Sequence, residues 1–298
     1  MTTLAAEGTH SDAFEARDWV LFIAPGLIWG TSFLLIDEAL NSFHPFVVTF
    51  GRILLGCLAL GLVPAARQPI ERSDLKRVGL VGVTWLAFPM MLFPIAQQHI
   101  ASGLAGMLNG SITIFAAIVS SLLLRRLPGR AQLLGLAVGV IGVVLLGIPS
   151  LNEGGTKFGS ALLVVLACAS YGVAVTLAVP LTQKYGSMPV FWRAQLVSVV
   201  LTAPFGVYGL MGGRSHFDAR PTMALIVLGV MGTAVAFICM TMLGARVGST
   251  RSASLTYFEA VFALIVGAVI LREPVIAIEV AGCAVLLLGA WLSSRAEH

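Results

Sequence analysis

Ten apolar runs divide this chain, and each is long enough to cross a lipid bilayer as a helix. A transmembrane helix needs about 20 apolar residues, whereas a strand of a membrane barrel alternates apolar and polar residues over about ten. The runs are continuous, so they predict an all-α integral membrane protein with ten transmembrane helices. They cover residues 19–37, 44–64, 75–96, 99–124, 131–149, 158–180, 188–211, 221–245, 252–271 and 276–292.

The composition argues against the soluble classes of protein. Hydrophobic residues make up 58% of the 298 residues and charged residues only 11%, against about 25% charged in an ordinary soluble domain. The net charge of +4 does not indicate a nucleic-acid partner, because the basic residues lie in the loops. The cysteines predict neither disulfides nor a zinc site, because all of them lie inside apolar runs without CxxC spacing, at Cys57, Cys168, Cys239 and Cys283.

The loop charges predict the orientation in the membrane. Thirteen Lys and Arg residues fall in the loops and tails on the side of the two termini. The other side has four, at Lys157, Arg214, Arg220 and Arg272, and Arg52 lies within the second run. Because cytoplasmic loops carry the excess of basic residues, both tails, residues 1–18 and 293–298, are expected in the cytoplasm.

The two halves of the chain, residues 19–149 and 150–292, share a pattern. Trp29-Gly30 in the first run corresponds to Tyr171-Gly172 in the sixth. Later motifs repeat at offsets of 146 and 147 residues, namely Pro128 with Pro274, and Gly135 and Gly142 with Gly282 and Gly289. Five helices are an odd number, so the second unit must enter the membrane from the opposite face. The sequence therefore predicts two inverted five-helix repeats, an architecture typical of secondary transporters.

One segment carries a resemblance to a known family. It runs Tyr257-Phe258-Glu259-Ala260-Val261-Phe262-Ala263 and continues to Leu271-Arg272-Glu273-Pro274. With the paired units, it resembles the EamA type of the drug/metabolite transporter superfamily. The family pattern has proline at the place of Ala260 and glycine at the place of Arg272. Within the superfamily the chain is most similar to bacterial exporters of aromatic amino acids.

The resemblance implies a function and a mechanism. The chain would be an inner-membrane secondary transporter that exports aromatic and other apolar amino acids, or similar small metabolites, by alternating access. Helices one to four and six to nine would line the cavity, with helices five and ten at the periphery. The alternatives are an exporter of another metabolite or drug, or a channel-like or scaffold protein without substrate-driven flux.

Two ionisable residues lie deep in the runs. Placing such a group at the centre of a helix costs about 2.5–3.5 kcal/mol on insertion scales, so both are candidates for function. Glu259 is the one acid at depth, and it either binds a substrate ammonium or a coupling proton, or bonds to neighbouring helices as a structural acid. Arg52 either binds a substrate carboxylate, extends outward to the membrane surface, or forms a structural pair.

Aromatic and small polar residues at depth complete the predicted substrate-binding set, since such sites place a few polar groups among apolar walls. Each aromatic residue alone is equally consistent with packing. Thr113 falls opposite Glu259 when the halves are aligned. Glu259 is joined in the set by Trp29, Trp85, Asn109, Ser111, Thr113, Tyr171, Phe237 and Tyr257.

No enzyme, metal site or cofactor is predicted. No aspartate or histidine lies in the middle of a run, and the HExxH pattern is missing. A potassium-type channel is disfavoured because the TVGYG filter is missing. The expected partners are an amino-acid substrate, the lipid bilayer and candidate coupling protons. Gly135 and Gly139 have GxxxG spacing, which suits packing within the chain as well as a homodimer.

Overall fold

The computed structural model describes residues 15–123, 129–152, 155–213, 215–248, 252 and 255–295, and these contain ten long helices and no strand. Most of the two tails and the repeat motif around Pro128 lie outside the described residues. The helices are α1 (Ala16–Leu40), α2 (Pro45–Gly61), α3 (Leu75–Ala96), α4 (Ser102–Leu123), α5 (Arg130–Asn152), α6 (Gly155–Tyr185), α7 (Ser187–Met211), α8 (Ala219–Val247), α9 (Leu255–Ile270) and α10 (Ala277–Arg295).

The predicted all-α membrane architecture is confirmed. Seven of the described helices are long and apolar enough to cross a membrane, and α2, α9 and α10 are shorter apolar helices. Some ends differ from the predicted runs. The first helix begins at Ala16 because Glu15 and Asp18 form a capping box around its N-terminus. The sixth helix continues past residue 180 to Tyr185, and the tenth extends to Arg295.

Contacts between helix ends show the direction of each helix. We call the face on which α1 begins the terminal face and the other the opposite face. On the terminal face, Arg246 Nε at the end of α8 donates to Asp18 Oδ1 at 2.5 Å. On the opposite face, Ser42 Oγ after α1 donates to Asp218 Oδ2 before α8 at 2.6 Å. Helices α1 and α8 are therefore antiparallel, and the alternation along the chain makes α6 enter from the face opposite to α1.

A charged cluster on the terminal face joins the loop before α3 to the end of α6. Tyr185 Oη and Lys184 Nζ both donate to Asp74 Oδ2, at 2.6 and 3.0 Å. The Tyr185 hydrogen bond and then the Lys184 ammonium hold the pKa of the Asp74 carboxyl below its usual range. The cluster explains why α6 continues beyond its apolar run.

Helices α5 and α10 pack against each other through their glycines. A Cβ on Gly142 would overlap the backbone nitrogen of Leu286, and one on Gly289 would overlap the backbone nitrogen of Gly139. A Cβ on Gly282 would lie 2.9 Å from the backbone nitrogen of Leu146 in α5, which is also too close. The glycine spacing seen in the sequence thus serves packing within the chain, and a homodimer stays a prediction that would need another surface.

The motif that ends α9 caps the start of α4. Glu273 accepts hydrogen bonds from the backbone nitrogens of Ser102 and Gly103, both at 2.8 Å, and from Ser102 Oγ at 2.7 Å. A carboxylate stabilises this position because the first N–H groups of a helix have no partner within it. The preceding residue, Arg272, has a φ of 56°. This left-handed conformation favours glycine, the residue that the family pattern has there.

Candidate functional site

A cavity lies among the middle turns of the helix bundle. Both halves of the chain line it, through α1, α2, α3, α4, α6, α8 and α9. About 550 Å³ of empty space lies among its lining atoms, and part of that space is open to the surroundings. Among the described residues, α5 and α10 contribute nothing to the lining, as the resemblance implied. Helix α7 was expected to line the cavity and does not, because its Phe191 stacks behind Phe237.

Aromatic rings form much of the cavity wall. The Phe237 ring packs edge-on against Trp29 and Trp85, with centroids 4.7 and 5.5 Å apart. On another side, Phe93 stacks with Tyr171 at 6.0 Å. Such pairs are rigid apolar surfaces that suit a flat or aliphatic side chain of a ligand.

Two π-helical segments position this wall, one in the third helix of each unit. They are Val83–Ala87 in α3, which contains Trp85, and Leu228–Val235 in α8, which ends two residues before Phe237. A π turn carries an extra residue, so it disturbs the normal pairing of helix carbonyls, and such turns are frequent at functional sites.

Neighbouring helices bond to the carbonyls of both segments. Trp29 Nε1 of α1 donates to Gly232 O at 2.8 Å, and Gln195 Nε2 of α7 donates to Thr233 O at 2.7 Å. In α3, Thr84 O accepts from Ser170 Oγ of α6 at 2.7 Å. The same construction therefore occurs in both units.

Glu259 is buried in the cavity wall formed by α4 and α9. It is 2% exposed, and its Oε1 accepts a hydrogen bond from Asn109 Nδ2 at 2.7 Å. Asn109 is the last residue of the first part of α4, which is interrupted at Gly110-Ser111. The other carboxylate oxygen, Oε2, has no hydrogen-bond partner among the described residues.

Arg52 lies in the wall formed by α2 and α8, and it is 5% exposed. Its Nε donates to Thr233 Oγ1 in the π segment of α8, at 3.1 Å. The side chain therefore points into the bundle, and the alternative that it extends to the membrane surface is wrong. The sequence did not determine in which direction the Arg52 side chain points, and the structure shows that it points toward the cavity.

Six of the nine residues in the predicted substrate-binding set line the cavity, namely Trp29, Trp85, Asn109, Tyr171, Phe237 and Glu259. The other three do not. Ser111 is fully buried, Thr113 Oγ1 donates to Gly110 O at 3.0 Å, and Tyr257 is half-buried outside the lining. Whether the six bind a substrate stays a prediction.

Some lining residues were missed at the sequence level. Ser32, Phe33 and Ile36 follow Trp29 on one face of α1, at the spacing of successive helical turns. Thr256 precedes Glu259 by three residues on α9. Helical periodicity counted from Trp29 and from Glu259 is the signal that would have found them. Among the described residues, no group of three His, Cys, Asp or Glu side chains forms a metal site.

A cavity between two helical units of opposite orientation is typical of solute transporters. The model of the EamA-like transporter family matches residues 19–148 and 159–295. The chain belongs to this family. Its members are described as transporters, and a small-molecule substrate and the surrounding lipid are the partners of such a protein.

Several curated relatives match over nearly their whole length. An uncharacterized transporter of Archaeoglobus fulgidus is 21% identical, over 94% of this chain and 99% of its own. A probable terminal-alkyne amino-acid exporter of Streptantibioticus cattleyicolor is 24% identical over 93% of both chains. A probable amino-acid metabolite efflux pump of Salmonella typhimurium is 22% identical over 93% of this chain and 94% of its own.

A solved crystal structure shares the fold. It covers 95% of this chain and 99% of its own with a TM-score of 0.67, at 18% sequence identity.

Proposed function

We propose that this protein exports amino acids with aromatic or other apolar side chains across the bacterial inner membrane, by alternating access. The observation that carries the proposal is the cavity, in which one carboxylate and one guanidinium lie among aromatic rings. An apolar amino acid has the matching parts, namely two charged groups and an apolar side chain. The names of the Streptantibioticus and Salmonella relatives support the same cargo class.

The route between the cavity and the terminal face supports alternating access. A second, smaller pocket lies between them and is lined by Thr182, Gly244 and Ser252. It shares Trp85, Val175 and Met240 with the main cavity. These three side chains separate the two spaces and would act as the gate.

Opening the terminal face would also separate α1 from α8. Arg246 joins them there through Asp18 and through Glu15 Oε2, the latter at 3.0 Å. We expect this ion cluster to break in one state of the transport cycle and to form again in the other.

Cells that overproduce the protein are expected to resist toxic analogues of phenylalanine or tryptophan, because export lowers the internal concentration of the analogue. Growth inhibition is measured against an empty vector, with membrane expression verified. Purified protein in liposomes should also take up labelled phenylalanine above protein-free liposomes, and repeating the assay with a pH gradient tests proton coupling. Unchanged resistance and absent uptake would indicate another metabolite, a drug, or a protein without substrate-driven flux.

The terminal face is expected to be cytoplasmic, as the loop charges indicate. Four exposed positions test this with single cysteines and an impermeant thiol reagent on intact cells. Cysteines at Arg72 and Arg130 should be protected, whereas cysteines at Asn41 and Gly213 should react. Permeabilised cells, in which all four should react, are the control. The reverse labelling pattern would place both termini outside.

A further inference from the structure

Two ionisable groups face the cavity, and each is only partly satisfied. Arg52 uses Nε for its bond to Thr233, and no described residue accepts a hydrogen bond from its Nη1 or Nη2. Glu259 uses Oε1 for its bond to Asn109, and Oε2 has no partner among the described residues. In the described part of the chain neither group forms a salt bridge, so they are not each other's partner.

The two groups lie in different walls of one cavity. Arg52 is fixed between α2 and α8, whereas Glu259 is fixed between α9 and α4. Tyr171 of α6 lines the same cavity. The structure therefore holds a guanidinium group and a carboxyl group in separate walls of one cavity.

Buried charges of this kind need a partner, because desolvating a charge without compensation is unfavourable. A carboxylate can take the free Nη edge of a guanidinium through two parallel hydrogen bonds. An ammonium donates three hydrogen bonds and suits a free carboxylate oxygen. A ligand that carries both groups satisfies both poles of the cavity, Arg52 and Glu259, at once.

We propose that the cavity recognises zwitterions, with the ligand carboxylate on Arg52 and the ligand ammonium on Glu259. The ligand side chain then lies against the aromatic wall of Trp29, Trp85 and Phe237. This inference rests on the proposed function and narrows it, because it makes both charged groups of the amino acid necessary. Amines without a carboxylate and acids without an amine each leave one pole unpaired, so the site rejects them.

Three compounds with the same aromatic side chain test this on the wild-type protein. Phenylalanine has both charged groups, phenethylamine lacks the carboxylate, and 3-phenylpropionate lacks the amine. We expect both truncated compounds to compete with labelled phenylalanine at least tenfold more weakly, which corresponds to about 1.4 kcal/mol each. Competition is measured at equilibrium on purified protein in lipid nanodiscs, and uptake of labelled phenylalanine is measured in liposomes.

Two variants assign each pole to one group of the ligand. Arg52→Gln should bind phenylalanine and phenethylamine almost equally, because the variant no longer offers a positive charge to the ligand carboxylate. Glu259→Gln should bind phenylalanine and 3-phenylpropionate almost equally, because the variant no longer offers a negative charge to the ligand ammonium. Arg220→Gln is the control, since Arg220 is 85% exposed on the opposite face and should keep the wild-type preference.

The outcomes separate this inference from the proposed function. If wild-type protein takes up phenylalanine but binds all three compounds equally, the zwitterion site is refuted and amino-acid export stands. If no amino acid in a full panel is taken up by protein that elutes as a single peak, both fail. If Arg52→Gln does not fold, Arg52→Lys keeps the charge but loses the paired hydrogen bonds, and the wild-type series decides the matter without any variant.

Discussion

Replacing Glu259 with glutamine is expected to lower amino-acid flux in liposomes by a factor of ten or more while leaving the protein folded. Glutamine has nearly the size of glutamate, and its amide oxygen can still accept the hydrogen bond from Asn109. The loss is therefore confined to the negative charge that a substrate ammonium or a coupling proton needs. A tenfold loss corresponds to about 1.4 kcal/mol.

Two controls make the Glu259 experiment decisive. Glu71→Gln removes a carboxylate from an exposed loop outside the cavity, where Glu71 binds Lys184, and it should keep wild-type flux. The Glu259→Gln protein should elute as a single peak with a near-normal melting temperature. Wild-type flux in that variant removes Glu259 from the mechanism, whereas a misfolded variant returns it to a structural role.

The largest effect on stability is expected from Gly142→Leu in α5. Any side chain there must enter the space of the α10 backbone at Leu286, and backbone cannot move aside as a flexible side chain can. Overpacking alone costs about 1–3 kcal/mol, and separating two packed helices costs more. We expect a melting temperature lower by about 10 °C, or no single peak in detergent.

Gly147→Leu in the same helix is the matched control. Apart from the adjoining turns of α5 itself, no atom lies within 4 Å of a Cβ built at Gly147, so a side chain there starts in open space. Its melting temperature should stay within about 2 °C of the wild type, as for a surface substitution. Equal stability of the two variants would mean that the close contact between α5 and α10 is dispensable.

The number and direction of the helices could be predicted because the responsible signals are local. A continuous apolar run and the charges beside it act within one segment, whatever the other helices do. The cavity was partly predictable for a related reason, since Trp29 and Glu259 stand out as aromatic and acidic residues at depth. Their helical neighbours Ser32 and Thr256 follow from the same periodicity.

The partners of the charged residues were not predictable because they depend on packing between distant segments. Aligning the two halves placed Thr113 opposite Glu259, whereas the interruption of α4 at Gly110 presents Asn109 to the carboxylate instead. The inward direction of Arg52 depends on Thr233, which lies 181 residues away in the π segment of α8. The residues next to Glu259 and Arg52 in the sequence therefore indicate neither the bond from Asn109 nor the bond to Thr233.

The paired π segments also couple the shape of the wall to the position of the surrounding helices. The direction in which Trp85 and Phe237 point from their helices depends on the π turns beside them. The carbonyls of these turns accept hydrogen bonds from side chains of other helices, namely Trp29, Gln195 and Ser170. A displacement of α1, α6 or α7 would pull on these carbonyls and rotate the adjoining turn. Rigid movements of whole helices would thereby reorient individual rings, and no helix would need to unwind.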